Sequence, residues 1–120
     1  MENKIYHLSS CSTNKKILSQ LNNIDKVRLI NIKENNINSS DLDYAALQLG
    51  TYEAVFSRKA QKYRALGLHE KTLSENEMRQ LILEEYTFLK RPVSFIEGKV
   101  FAGNTKESVE GLFEAMNKLG

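Results

Sequence analysis

The sequence predicts an α/β fold in which a βαβ opening and a ββα close enclose a run of helices. Three observations predict it. Short runs of branched and aromatic residues lie at Lys4 to Leu8, at Val27-Arg28-Leu29-Ile30-Asn31-Ile32, at Val93-Ser94-Phe95-Ile96 and at Val100-Phe101-Ala102. Apolar residues at helical spacing follow the first run and the last. Between the second and third runs, residues 37–88 carry helix starts and stops and no strand pattern. With 120 residues, the chain has room for a single domain. The expected division is a core of residues 1–36 and 89–120 with an all-helical insertion, 37–88.

In order, Lys4 to Leu8 reads as the first strand. Ser9 to Asn14 is a loop rich in side chains that can cap backbone donors. Ile17, Leu18 and Leu21 give a helix from about Thr13 to Leu21 its buried face, and Asn22-Asn23 ends it. Val27 to Ile32 is the second strand. A strand-helix-strand crossover implies parallel pairing. Ser39 or Ser40 is expected to cap a helix over Asp41 to Leu49, with Leu42, Ala45, Ala46 and Leu49 inward and Gly50 as the stop. A short helix is expected over Tyr52 to Phe56. Ser57 to Arg64 is basic and has no long period. Ser74-Glu75-Asn76-Glu77 has capping-box form and opens a helix through Met78, Leu81 and Ile82. Glu97-Gly98 reads as a hairpin turn. Val109, Leu112, Phe113 and Met116 form the core stripe of the last helix. The only proline, Pro92, stands at a strand entrance, where a cis peptide bond is expected.

Composition excludes several classes of function. The net charge is +2 with the positives dispersed, which does not make the concentrated basic face of a direct nucleic-acid binder. No apolar run approaches the roughly 20 residues of a membrane helix. The start Met1-Glu2-Asn3-Lys4 has no leader pattern. One cysteine cannot form an internal disulfide, so a reduced, cytoplasmic setting is expected. His7 and His69 have no partners at metal-ligand spacing, and no metal is expected.

The chemistry points to that one cysteine, Cys11. It lies where the first strand gives way to the first helix. Backbone N–H groups and the positive end of a helix dipole converge there, and both favour a thiolate, the nucleophilic form.

Three stretches make the sequence resemble the arsenate reductase-related family, which includes glutaredoxin-coupled arsenate reductases and Spx-type transcription regulators. They are Cys11-Ser12-Thr13-Asn14-Lys15-Lys16, then Phe56-Ser57-Arg58-Lys59 with Tyr63-Arg64-Ala65-Leu66-Gly67-Leu68, then Leu89-Lys90-Arg91-Pro92-Val93. Ala102-Gly103-Asn104 is a weaker fourth. The resemblance implies a thioredoxin-like core with Pro92 as its cis proline. It implies Cys11 as a redox-active nucleophile, Arg58 (or Lys59) and Arg91 as anion contacts, and Ser12, Thr13 and Asn14 as substrate-binding neighbours. It also implies no bound cofactor, with glutathione as co-substrate and glutaredoxin as partner, because an external thiol must resolve the sulfur intermediate. The alternative it carries is an Spx-like regulator without catalysis. Such a regulator binds the C-terminal domain of the RNA polymerase α-subunit through the helical insertion, at Gly50-Thr51-Tyr52. The sequence departs from both patterns. The family's reductases place a third arginine just before the final helix, where this chain has Gly103 and no arginine follows Arg91. The Spx-type Cys-x-x-Cys is here Cys11-Ser12-Thr13-Asn14.

Overall fold

A computed structural model describes residues 2–119. The contacts within the chain form two compact units. One comprises the residues up to Asn35 together with those from Arg91 on, and the other is Asn36–Lys90.

The first unit carries a four-stranded sheet. Strands β1 (Lys4–His7), β2 (Arg28–Asn31), β3 (Val93–Ile96) and β4 (Lys99–Ala102) lie in the order β2-β1-β3-β4. The β1–β2 pair is parallel, as the crossover requires, with His7 opposite Asn31. The β1–β3 and β3–β4 pairs are antiparallel. Helix α1 (Ser12–Ser19) fills the crossover, and α5 (Lys106–Asn117) closes the unit. Ile5 and Ile96 from one sheet face pack with Ile17, Leu21, Leu112, Met116 and Leu119 into one buried cluster. On the opposite face the Tyr6 and Phe95 rings meet edge to face, with centroids 5.9 Å apart. Gly111 brings α5 close to β4, since a Cβ there would fall 2.7 Å from the Phe101 ring. Asn23 donates through its side chain to the Met116 and Leu119 carbonyls, both at 3.0 Å, and so closes the end of α5.

The second unit is helical: α2 (Ser39–Leu49), α3 (Gln61–Ala65) and α4 (Glu75–Glu84), with 3-10 turns at Glu53–Val55, Leu68–Glu70 and Tyr86–Phe88. The α4 capping box forms as expected. Ser74 Oγ accepts the Glu77 N–H at 3.1 Å, and the Glu77 carboxylate accepts the Ser74 N–H at 3.0 Å. Phe56 and Phe88 stack at 5.5 Å, and Leu42, Val55, Ile82 and Leu89 are fully buried.

The structure corrects several local expectations. The α2 cap is Asn38, not Ser39 or Ser40. Its Oδ1 accepts the Asp41 N–H at 2.7 Å, so the helix starts two residues sooner. Leu49, expected inward, is exposed, because the backbone turns away at Gly50 (φ 101°) and leaves nothing to cover it. The helix over Tyr52 to Phe56 is a single 3-10 turn, and the basic stretch contains the short α3. Helix α1 ends at Ser19 and tightens into i→i+3 bonds at Gln20 and Leu21. The Arg91–Pro92 peptide is cis, as expected. No helix among the described residues is long and apolar enough to cross a membrane.

Candidate functional site

Cys11 is the N-cap of α1, in extended backbone geometry (φ −88°, ψ 117°). Its N–H donates to the Leu8 carbonyl at 3.0 Å, closing a four-residue turn, and its carbonyl accepts the Lys15 N–H at 3.0 Å. Asn38, Ser74 and Thr105 cap their helices with side-chain oxygens, but the Cys11 side chain makes no capping bond. Cys11 is partly exposed, and the first turn of α1 carries no carboxylate. A negative charge that develops at this residue stands at the N-terminal end of a helix whose first turn carries no acid.

The turn that presents Cys11 is held from both sides. Asn14, in the first turn of α1, is fully buried, and its Oδ1 accepts the Leu8 N–H at 3.0 Å. Asn31, at the end of β2, accepts the Ser9 N–H on its Oδ1 at 3.3 Å and donates from Nδ2 to Ser9 Oγ at 2.9 Å. The same Nδ2 donates to a Glu34 carboxylate oxygen at 3.0 Å, which fixes the orientation of the amide. Two consecutive backbone donors in an irregular segment are thus satisfied by two neutral side chains that lie 17 residues apart in sequence. The other side-chain atom of Asn14, Nδ2, has no partner. It and Ser94 Oγ are the buried side-chain polar atoms left unsatisfied among the described residues.

The sequence-predicted residues fall as follows. Ser12 and Thr13 are exposed beside Cys11. Asn14, expected among the substrate contacts, is turned inward and supports the loop. Arg91 and Pro92 belong to the same unit as Cys11. Arg91 is half-buried at the entrance of β3, and the Pro92 carbonyl accepts the Gly103 N–H at 2.8 Å. Arg58 belongs to the helical unit. There it donates to Glu53 Oε2 at 2.8 Å and lies 5.7 Å from the centre of the Phe56 ring. Lys59 is exposed.

Sequence reasoning passed over two residues at this end of the sheet. His7 and Asn31 stand opposite each other at the ends of β1 and β2 and line a cleft of about 250 Å³ with Arg28, Glu34 and Asn35. Burial holds the His7 imidazole below its ordinary pKa, which favours the neutral ring at neutral pH. The available signal was slight: Asn31 is the one amide in the apolar run Leu29-Ile30-Asn31-Ile32. Among the described residues, no group of three or more His, Cys, Asp or Glu side chains is placed to hold a metal ion.

Comparison with known proteins follows the same outline. The model of the ArsC family matches residues 6–112. Among solved structures, an arsenate reductase from Vibrio cholerae is 24% identical. It superposes with a TM-score of 0.75 over 96% of this chain and 98% of its own. A possible arsenate reductase from Streptococcus mutans UA159 is 28% identical, with a TM-score of 0.74 over 92% of this chain and 96% of its own. An arsenate reductase (ArsC) related protein from Brucella melitensis is 24% identical, with a TM-score of 0.66 over 99% and 97%. No curated protein matches the chain.

Proposed function

The chain belongs to the ArsC family, and from that premise we propose that it is a thiol-dependent oxidoreductase with Cys11 as the nucleophile. One observation carries the reading. Cys11 occupies a helix N-cap without its side chain serving as the cap, partly exposed on a turn whose Leu8 and Ser9 N–H groups are satisfied by other side chains. In the first step the Cys11 thiolate attacks an oxyanion centre or a disulfide sulfur. A bond to Cys11 sulfur forms as an oxygen, leaving as water, or a thiolate departs. Asn14 replaces a second cysteine, so an external thiol completes the reaction. Glutathione is the natural one: its thiolate, or a thiolate of glutaredoxin, attacks the sulfur intermediate and releases Cys11, and two thiols end as one disulfide for each substrate reduced. Arg91 and the exposed Ser12 and Thr13 are assigned to the anion. Arg58 takes part only by giving up Glu53. A reduced, cytoplasmic setting suits this chemistry.

The test is the rate at which iodoacetamide alkylates the intact protein at pH 7. Cys11 is expected to react about tenfold faster than free cysteine or more, as activated thiols do. Cys11→Ser should abolish both labelling and glutathione-coupled disulfide reduction. A rate no higher than that of free cysteine overturns the proposal.

A second reading is favoured by a separate observation in the helical unit. Leu47 is 77% exposed beside the exposed Leu49 and the Gly50 turn, an apolar surface suited to a protein partner. That reading makes the chain an Spx-like regulator that binds the C-terminal domain of the RNA polymerase α-subunit. Retention of that polymerase domain by the immobilised chain, lost in Leu47→Glu, supports it. No retention at micromolar concentration removes it.

A further inference from the structure

We propose that Asn31 is a positioning residue for Cys11: through Ser9 it fixes the turn that presents the thiol. This rests on the reading of Cys11 as the nucleophile.

Asn31 is twenty positions from Cys11 in sequence and belongs to a different strand. It makes more bonds than a strand-end amide needs. Its Oδ1 accepts the N–H groups of Ser9 (3.3 Å) and Lys33 (3.4 Å), and its Nδ2 donates to Ser9 Oγ (2.9 Å) and Glu34 Oε1 (3.0 Å). Its own carbonyl accepts the N–H groups of Glu34 (3.0 Å) and Asn35 (2.9 Å), so the backbone that carries the amide is also fixed. The bonds to Glu34 and Lys33 are local and would form in any strand-end turn. Those to Ser9 cross between β2 and the loop that follows β1, and they hold the backbone N–H and the hydroxyl of a residue two positions before the nucleophile. Leu8, the residue before Ser9, is held by the buried Asn14. Its carbonyl in turn receives the Cys11 N–H. The Leu8–Cys11 turn therefore has one support inside α1 and one outside on β2, and only the outer support can be removed without opening the core.

A misplaced nucleophile reacts more slowly even when its chemistry is unchanged, and displacements of about 1 Å cost rates up to about a hundredfold. Releasing Ser9 frees the turn on its outer side while leaving α1 and the cluster beneath it intact. The Asn31–Ser9 bonds are exposed, so their loss should lower reactivity more than stability.

The experiment compares the full chain with Asn31→Ala, Asn31→Asp and Ser9→Ala. It measures Cys11 alkylation from pH 6 to 10, the rate of glutathione-coupled disulfide reduction, exchange of the Ser9 amide and the thermal midpoint. Asn31→Ala should slow alkylation at its plateau and disulfide reduction about fivefold to tenfold, and should speed Ser9 amide exchange. Its thermal midpoint should stay within a few degrees. Asn31→Asp keeps the acceptor for the Ser9 N–H but loses the donor to Ser9 Oγ and adds a charge, so it is compared only by its alkylation rate at the plateau, where the thiol is ionised; that rate should fall between wild type and Asn31→Ala. Ser9→Ala should show the smallest loss. Alkylation profiles of Asn31→Ala and wild type that agree within twofold overturn the proposal. So does an Asn31→Ala loss that only tracks a fall in thermal midpoint, because that marks a structural role. If Asn31→Ala does not fold, the order of Asn31→Asp and Ser9→Ala decides, and equal reactivity of both with wild type overturns it. Each reactivity readout is a ratio to wild type. It stays meaningful if wild-type Cys11 proves no faster than free cysteine, the result that would sink the nucleophile reading instead.

Discussion

Two segments, one in each unit, solve the same problem with opposite chemistry. After β1, the consecutive N–H groups of Leu8 and Ser9 are taken by the amide oxygens of Asn14 and Asn31. After α2, the consecutive N–H groups of Tyr52 and Glu53 are taken by the two oxygens of one carboxylate, Glu75, at 2.6 and 3.2 Å. Nearby, Tyr52 OH donates to Asp43 Oδ1 at 2.6 Å, and Arg79 grips Asp43 through two donors at 2.7 and 3.1 Å. A carboxylate is the stronger acceptor, so the helical unit uses the more stabilising device. Next to Cys11 the same device would place a negative charge against a thiol that must itself become negative and against any anion that approaches it. Neutral amides hold that turn without the field. One acid, Glu34, stands one hydrogen bond further out, behind Asn31.

The sharpest way to break this contrast is to put charge where the structure avoids it. Asn14→Asp keeps the oxygen that accepts the Leu8 N–H but buries a carboxylate. We expect a loss of about 2–4 kcal/mol at pH 7 by urea unfolding, because the group must stay charged in the core or take up a proton. Its folded-state pKa is then raised. The variant should therefore regain stability as pH falls from 7 toward 4, since such a group stabilises most below its unfolded value. A loss under about 0.5 kcal/mol would remove charge as the reason for the amide.

The reverse exchange should be mild. Glu75→Gln retains one acceptor in an exposed clamp and should cost under about 1 kcal/mol, leaving the Cys11 alkylation rate unchanged. A change in that rate beyond twofold would show that the two clamps are coupled.

The smallest effect is the most diagnostic of the difference, since the units should respond to acid in different windows. His7, with its pKa lowered from 6.5 by burial, is protonated more readily in the unfolded chain. The stability it contributes is lost as pH falls below 6.5 toward its folded value. Asp43 is lowered from 3.8 by its hydrogen bonds to Arg79 and then Tyr52, so its contribution persists until pH falls through 3.8 and below. His7→Asn should flatten the stability curve between pH 7 and 5, and Asp43→Asn only below about 4. Amide exchange followed by unit reads both. If His7→Asn leaves the slope above pH 5 unchanged, the imidazole is not the group that titrates there.

Much of the scaffold was legible because it follows local periodicity. The two halves of the sheet, the α4 capping box, the Glu97-Gly98 turn and the place of the crossover helix all rest on residues close in sequence. The misreadings came where a local rule had more than one solution. Asn38, Ser39 and Ser40 can each cap a helix, and the structure uses the first. Leu49 continues an apolar spacing that the turn at Gly50 leaves without a partner.

The site shows the same division. From the sequence alone came Cys11 at a strand-to-helix junction, the Arg91-Pro92 strand entrance and the resemblance to arsenate reductases. Each depends on residue type and order along the chain, which the sequence states outright. Tertiary structure alone decided which groups hold the thiol in place. Parallel pairing in the register that sets Asn31 beside His7 brings a β2 amide to Ser9. Packing of α1 buries Asn14 instead of offering it to a ligand. The pairing of Arg58 with Glu53 also comes from the fold of the helical unit. These are contacts of a few ångströms between residues whose spacing follows no period, and strand register and helix packing create them only once the chain has folded.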